Sequence, residues 1–262
     1  MHDNPFQSPA SSEFKPPNPA WSVPWEKIAL GLGLCGLLVA LLLPAVRTAR
    51  GPTYRASCRN NIKQISLAFE QYVKDHGSYP PAYTVDANGK PLHSWRTMLL
   101  PYLEQETLYK SIDLTKPWDD PVNAKALNTV VSAYARPTLS VDSDLQRTTY
   151  LAIVTQQSCL RSGTPTAKKD ITDGLGKTVV VIEVPENYAV PWMSPQDTNE
   201  AMFVELMRDL TPRPNEEAEP PRWSHIGMSH MLFADGHIEE IVPDEKSPAE
   251  RRALITIDGG EK

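Results

Sequence analysis

The sequence predicts an α+β protein that opens on a long helix and closes on strands. Three observations predict it. Ile28–Val46 is a run of 19 residues with no charged or amide side chain. Ala56–His76 carries apolar residues at Cys58, Ile62, Ile65, Phe69, Tyr72 and Val73, the three-and-four spacing of one helix face. Lys177–Pro185 and the paired runs Met228–Ala234 and His237–Val242 read as strands, the last two split by Asp235-Gly236.

Residues 1–26 are rich in proline, serine and asparagine and show no apolar period, the composition of a disordered tail. Trp21 and Trp25 stand where an aromatic anchor meets a membrane interface. Residues 27–47 then form the expected transmembrane helix. At about 1.5 Å per residue the uncharged run reaches about 28 Å, close to the hydrocarbon thickness of a bilayer. It is longer than a signal-peptide core and no small-x-small cleavage site is clear after it, so a retained anchor is expected. Arg47, Arg50, Arg55, Arg59 and Lys63 outnumber Lys15 and Lys27 across it. Charge bias alone would therefore hold the following domain in the cytoplasm.

Residues 48–245 are expected to form the globular domain and 246–262 a C-terminal tail. The amphipathic helix at Ala56–His76 leaves one face for packing, and the rest of the chain must supply its partner. Gly77 is a left-handed C-cap, and Tyr79-Pro80-Pro81 prevents continuation. Asp86-Ala87-Asn88-Gly89 is a hairpin-type turn. His93–Glu104 is a short helix interrupted by Pro101. A loop at Pro117–Asn123 leads into a helix over Ala124–Ala135. Strands are expected at Thr149–Val154 and Lys177–Pro185, the second central because its residues are nearly all β-branched. Asn199–Leu210 reads as a helix and Thr211–Arg222 as a mobile, proline- and acid-rich loop. Asp235-Gly236 predicts a type I′ turn, with positive φ at both residues.

The net charge of −6 leaves no nucleic-acid footprint. Twenty-five prolines against 13 glycines imply rigid loops. Of three cysteines, Cys35 lies in the apolar run, while Cys58 and Cys159 are candidates for a disulfide or two thiols. His225, His230 and His237 with Asp235, Glu239 and Glu240 crowd one hairpin, but their spacing matches no ligand motif, and a structural role is the simpler reading. Asp170, Asp173, Glu183 and Glu186 lack the Asp-x-Asp-x-Asp-Gly order of a calcium loop. His93 and Ser94 lack a Gly-x-Ser-x-Gly elbow. Trp95, Trp118 and Trp192 are candidates for stacking a sugar or apolar ligand, and equally good packing residues. No cofactor or metal motif is legible.

Several strings in order carry a family resemblance: Ala40–Arg47, Cys58–Ile65, Gly77–Tyr83, His93–Arg96, Pro117-Trp118-Asp119, and His225 followed nine residues later by Asp235-Gly236. The chain resembles the bacterial, planctomycete-type pilin-like family of unknown function DUF1559. That family pairs a prepilin-type N-terminal helix with a C-terminal signature, here His225, Asp235 and Gly236, and carries a solute-binding-like label. The usual Gly-Phe-Thr-Leu-Val-Glu processing site is missing, with Ser22-Val23 at the expected cut and Lys27 near the usual Glu. The resemblance implies a type IV pilin-like fold in which the second half of the long helix packs on an antiparallel sheet. It also implies an exported globular domain on a single-pass inner-membrane anchor, and we follow it over the charge bias. The expected function is a structural or secretion-associated envelope role without catalysis, with the lipid bilayer, other pilin-like subunits or envelope glycans as partners. The alternative is a membrane-tethered glycan- or solute-binding module.

Overall fold

The computed structural model describes residues 24–135, 145–209, 229–241 and 247–259, with the backbone alone at 39–55, 207–209, 229 and 241. The expected tail over 1–23, the cut at Ser22-Val23, the loop Thr211–Arg222 and His225 lie outside the described residues. The chain divides into two compact units, Met1–Gly51 and Pro52–Lys262.

Helix α1 spans Trp25–His76, so Trp25 and Glu26 belong to it rather than to the tail. In the first unit its large apolar side chains from Ile28 to Leu38 are at least half exposed, Leu32 at 69%. Among the described residues no helix is long and apolar enough to cross a membrane. The expected span Ile28–Val46 falls partly on 39–55, where side chains lie outside the description.

In the second unit the predicted stripe is buried. Cys58, Ile62, Ile65, Phe69 and Val73 are joined inside by Ala68, with Tyr72 packed alongside. Burying each large apolar side chain contributes roughly 1.5–3 kcal/mol, which is what holds this helix to its partner surface. The helix stops where expected: Gly77 takes φ 73° and its N–H donates to Val73 O at 2.8 Å.

After α1 come β1 (Ser78–Tyr79), β2 (Tyr83–Val85) and β3 (Pro91–Ser94). Strands β2 and β3 pair around Asp86–Gly89, where the Asp86 carboxylate accepts from the Asn88 and Lys90 N–H groups. Short helices follow as α2 (Trp95–Met98), α3 (Glu106–Lys110) and α4 (Ala124–Leu127). The helix expected over 124–135 ends early. Asn128 Nδ2 donates back to Ala124 O and Thr129 Oγ1 to Lys125 O, closing its last turn. The chain beyond it must also deliver the Tyr134 hydroxyl to Arg96 O.

The strands β4 (Arg147–Thr148), β5 (Tyr150–Ala152), β6 (Thr166–Ala167), β7 (Val179–Glu183) and β8 (Val190–Pro191) follow, then α5 (Glu200–Asp209), β9 (Ser229–Phe233), β10 (Ile238–Ile241) and α6 (Pro248–Ala253). The main sheet is antiparallel in the order β10-β9-β7-β5. β1 pairs with β6 and β4 with β8 as short ribbons. All five residues of β7 are buried, as its β-branched composition predicts for an inner strand.

Alternation along the strands divides the core in two, with an irregularity at Val179–Val181 that sends Val180 and Val181 to the same side. Tyr150, Ala152, Val180, Val181, Leu232 and Ala234 pack with the α1 stripe. Leu151, Ile153, Val179, Ile182, Met231 and Phe233 pack instead with Phe203 of α5 and with Ile255. The expected C-terminal tail is therefore integral to the fold. Ser247 and Glu250 cap α6 reciprocally, and Leu254 O accepts from Val179 N–H at 2.7 Å. Ile255 and Ile257 are buried.

Candidate functional site

Two places gather the polar residues that the sequence singles out. The first is the β9–β10 turn, which is not the predicted two-residue I′ turn. Gly236 N–H donates to Phe233 O at 2.9 Å and Phe233 N–H to His237 O at 3.0 Å, leaving a three-residue loop of Ala234, Asp235 and Gly236. Gly236 takes φ 90°, and the only described non-glycine residue with positive φ is Glu104. This is a type I turn closed by a left-handed glycine. The docking of the loop explains the difference. Ser66 Oγ on α1 donates to Gly236 O at 2.9 Å, and the Tyr79 hydroxyl donates to Ala234 O. Ala234 N–H reaches Thr178 O and Asp235 N–H reaches Leu175 O. A Cβ on Gly236 would stand 3.1 Å from Ser66 Oγ, so only glycine fits both the φ and the space.

The Asp235 carboxylate accepts from the His237 backbone N–H at 3.0 Å and lies 2.5 Å from His237 Nδ1. Burial pushes this carboxyl up, but the His237 contacts outweigh it and hold it below the ordinary range. The His237 ring stacks on Phe233 with centroids 4.2 Å apart. Beside the turn lies a pocket of about 60 Å³ whose lining includes Ser66, Glu70, Tyr79, Lys168, Asp235 and Gly236. That volume takes a few waters and falls well short of the roughly 300–1,000 Å³ of a small-molecule site.

The second place is built on His93-Ser94-Trp95-Arg96. Ser94 Oγ caps α2 by accepting from Arg96 N–H at 3.2 Å. His93 is buried, with Nε2 at 2.8 Å from Lys116 O and Nδ1 without a hydrogen-bond partner. Burial lowers its pKa, opposed by the Lys116 and Asp113 carbonyls. The two side chains thus serve backbone groups rather than each other. Arg96 is fully buried and uses all its donors. Nε reaches Trp192 O, Nη1 reaches Tyr150 O and Asp197 Oδ1, and Nη2 reaches Ser194 O and Gln196 O, all within 2.8–3.0 Å. Asp197 Oδ1 also accepts from Ala152 N–H at 2.8 Å and the Trp95 indole N–H at 3.3 Å. Burial raises the Asp197 carboxyl, against the pull of Arg96 and these donors. Arg96 therefore ties α2 to β5 and to the segment after β8.

This placement reassigns the aromatic candidates. Trp95 is buried between Phe69, stacked at 5.1 Å, and Tyr134, edge-on at 6.2 Å. Trp192 is buried against Tyr134, its indole N–H donating to Thr129 O. Neither presents a face to a ligand. Trp118 is half-buried against the core, its backbone N–H on Leu92 O. Cys58 and Cys159 are both buried and stand as thiols rather than a disulfide, and burial pushes the Cys159 thiol far up. The acidic residues weighed for calcium form no metal-holding group among the described residues. Asp170 accepts from Ala167 N–H, Asp173 from Gly259 N–H, and Glu183 meets His230. Sequence reasoning missed Asp197 and Ser66 as partners, because each acts on residues 101 and 170 positions away.

No curated protein and no solved structure matches this chain. Residues 47–166, a little under half of the chain, match the sequence model of a family described as a protein of unknown function, DUF1559, and that match supports placing the chain with this family.

Proposed function

We propose that the protein is a membrane-anchored, pilin-like envelope protein with a structural or secretion-associated role and no catalytic activity. One observation carries the reading: the two ends of α1 meet different surroundings. From Ile28 to Leu38 the apolar side chains are exposed, whereas Cys58, Ile62, Ile65, Phe69 and Val73 are buried in the second unit's core. An apolar stretch left uncovered on a folded chain calls for a nonaqueous cover. The absence of charge through Val46 suits a bilayer. The family match adds the placement with DUF1559 and names no activity.

The alternative of a tethered glycan- or solute-binding module is weakened by the burial of Trp95 and Trp192, which leaves Trp118 as the half-exposed candidate. Membrane fractionation tests the main reading. The full chain is expected in the membrane pellet, resistant to carbonate extraction, and a chain beginning at Pro52 in the supernatant. A full chain recovered in the soluble fraction sinks the anchor. Protease accessibility in spheroplasts then reads the side on which the second unit lies, expected to be the extracytoplasmic one.

A further inference from the structure

One row of ionisable side chains is untouched by this reading. The register pairs Tyr150 with Glu183 across β5–β7 and His230 with Glu240 across β9–β10. Pairing of Ile182 with Met231 sets Glu183 opposite His230. Glu183, His230 and Glu240 therefore stand side by side on three neighbouring strands. Glu183 Oε2 lies 2.6 Å from His230 Nδ1, with both residues buried. On the other side His230 Nε2 faces Glu240 Oε1 at 3.9 Å, beyond hydrogen-bond distance. Nε2 is buried and has no hydrogen-bond partner, and His230 as a whole is 4% exposed. The Glu240 side chain is 43% exposed.

The chemistry of this arrangement is one-sided. A carboxylate holds Nδ1, and Nε2 faces a second carboxylate with no hydrogen bond between them. The histidine of a metal site is oriented in the same way, by a carboxylate on its far nitrogen. Bond lengths of about 2.0–2.2 Å to imidazole nitrogen and carboxylate oxygen put the two donors roughly 3.4 Å apart around a tetrahedral ion. A modest swing of the exposed Glu240 side chain closes the remaining gap.

We propose that His230 Nε2 and the Glu240 carboxylate form an open divalent-cation site of the zinc or cobalt class, with Glu183 as the positioning residue. Imidazole with carboxylate suits borderline ions over calcium or magnesium. Among the described residues no group of three or more His, Cys, Asp or Glu gathers as a metal site, so the protein supplies two donors here.

Cobalt(II) titrated into the full-length chain in detergent at pH 7.5 reads the site by its visible absorption, and zinc by a rise in melting midpoint. Both signals are expected in the native chain and absent in Glu240→Gln, whose exposed position leaves folding intact. Magnesium is expected to give neither. Glu183→Gln is expected to weaken cobalt binding roughly 10–100-fold with Nε2 still in place. Absence of both signals in the native chain overturns the proposal and leaves the row a structural contact between the three strands. Signals that persist undiminished in Glu240→Gln overturn it as well.

Discussion

The two buried charged networks in the second unit are built on opposite plans. Around Arg96 every guanidinium N–H has an acceptor, and four of the five acceptors are backbone carbonyls. Around His230 one ring nitrogen is held by Glu183 while the other makes no hydrogen bond, with Glu240 at 3.9 Å. A saturated network locks elements together and has nothing left to offer a ligand. An unsaturated one costs stability when unoccupied, and it keeps a donor atom available. Burial alone therefore does not separate a structural ion pair from a candidate site; the count of satisfied atoms does.

The largest expected effect comes from breaking the saturated network. Arg96→Met would strand Asp197 and four carbonyls in the core. Removing one partner of a buried pair costs roughly 3–5 kcal/mol, and urea unfolding should show a loss of that size. A loss under about 1 kcal/mol would mean the cage is not what joins α2 to β5. Glu183→Gln should cost less, about 1–3 kcal/mol, because it weakens one buried bond and leaves no carbonyl cage open.

Gly236→Ala tests the docked turn. A residue with a Cβ at φ 90° pays about 1–2 kcal/mol and also presses on Ser66 Oγ. Adding Ser66→Ala should recover the steric part and leave the backbone part, a non-additivity that a double-mutant cycle measures.

The smallest effect is a pH dependence at His93. Burial depresses its folded pKa below the unfolded value of about 6.5, so the native state binds fewer protons there. Its contribution is full above about pH 6.5 and is lost as pH falls through the folded pKa. Denaturation midpoints taken between pH 8 and 5 should decline, and His93→Gln should flatten the part of the slope that His93 supplies. A slope unchanged in the variant assigns the dependence to other groups.

Much of this molecule was legible locally. The stripe from Cys58 to Val73, the stop at Gly77 and the inner strand at Val179–Glu183 all follow from periodicity and from single residue types. So does the hairpin split at Asp235-Gly236, though not its turn type. What the sequence left open or misread shares one cause. Stacking and packing both stayed open for Trp95 and Trp192 because a sequence shows an aromatic side chain but not what covers it. The C-terminal residues looked like a tail because six helical residues signal little until Ile255 packs on the far face of the sheet and Ile257 joins the α1-side core.

By itself the sequence determined the long helix, the inner strand and the apolar face of the helix, since those properties depend on neighbours a few residues apart. It also set the uncharged run at Ile28–Val46. Only the tertiary structure decided that Arg96 meets Asp197, that Ser66 holds Gly236, and that Glu183, His230 and Glu240 share a row. Those partners are brought together by strand register and helix docking, and the distance they span along the chain leaves no periodic trace.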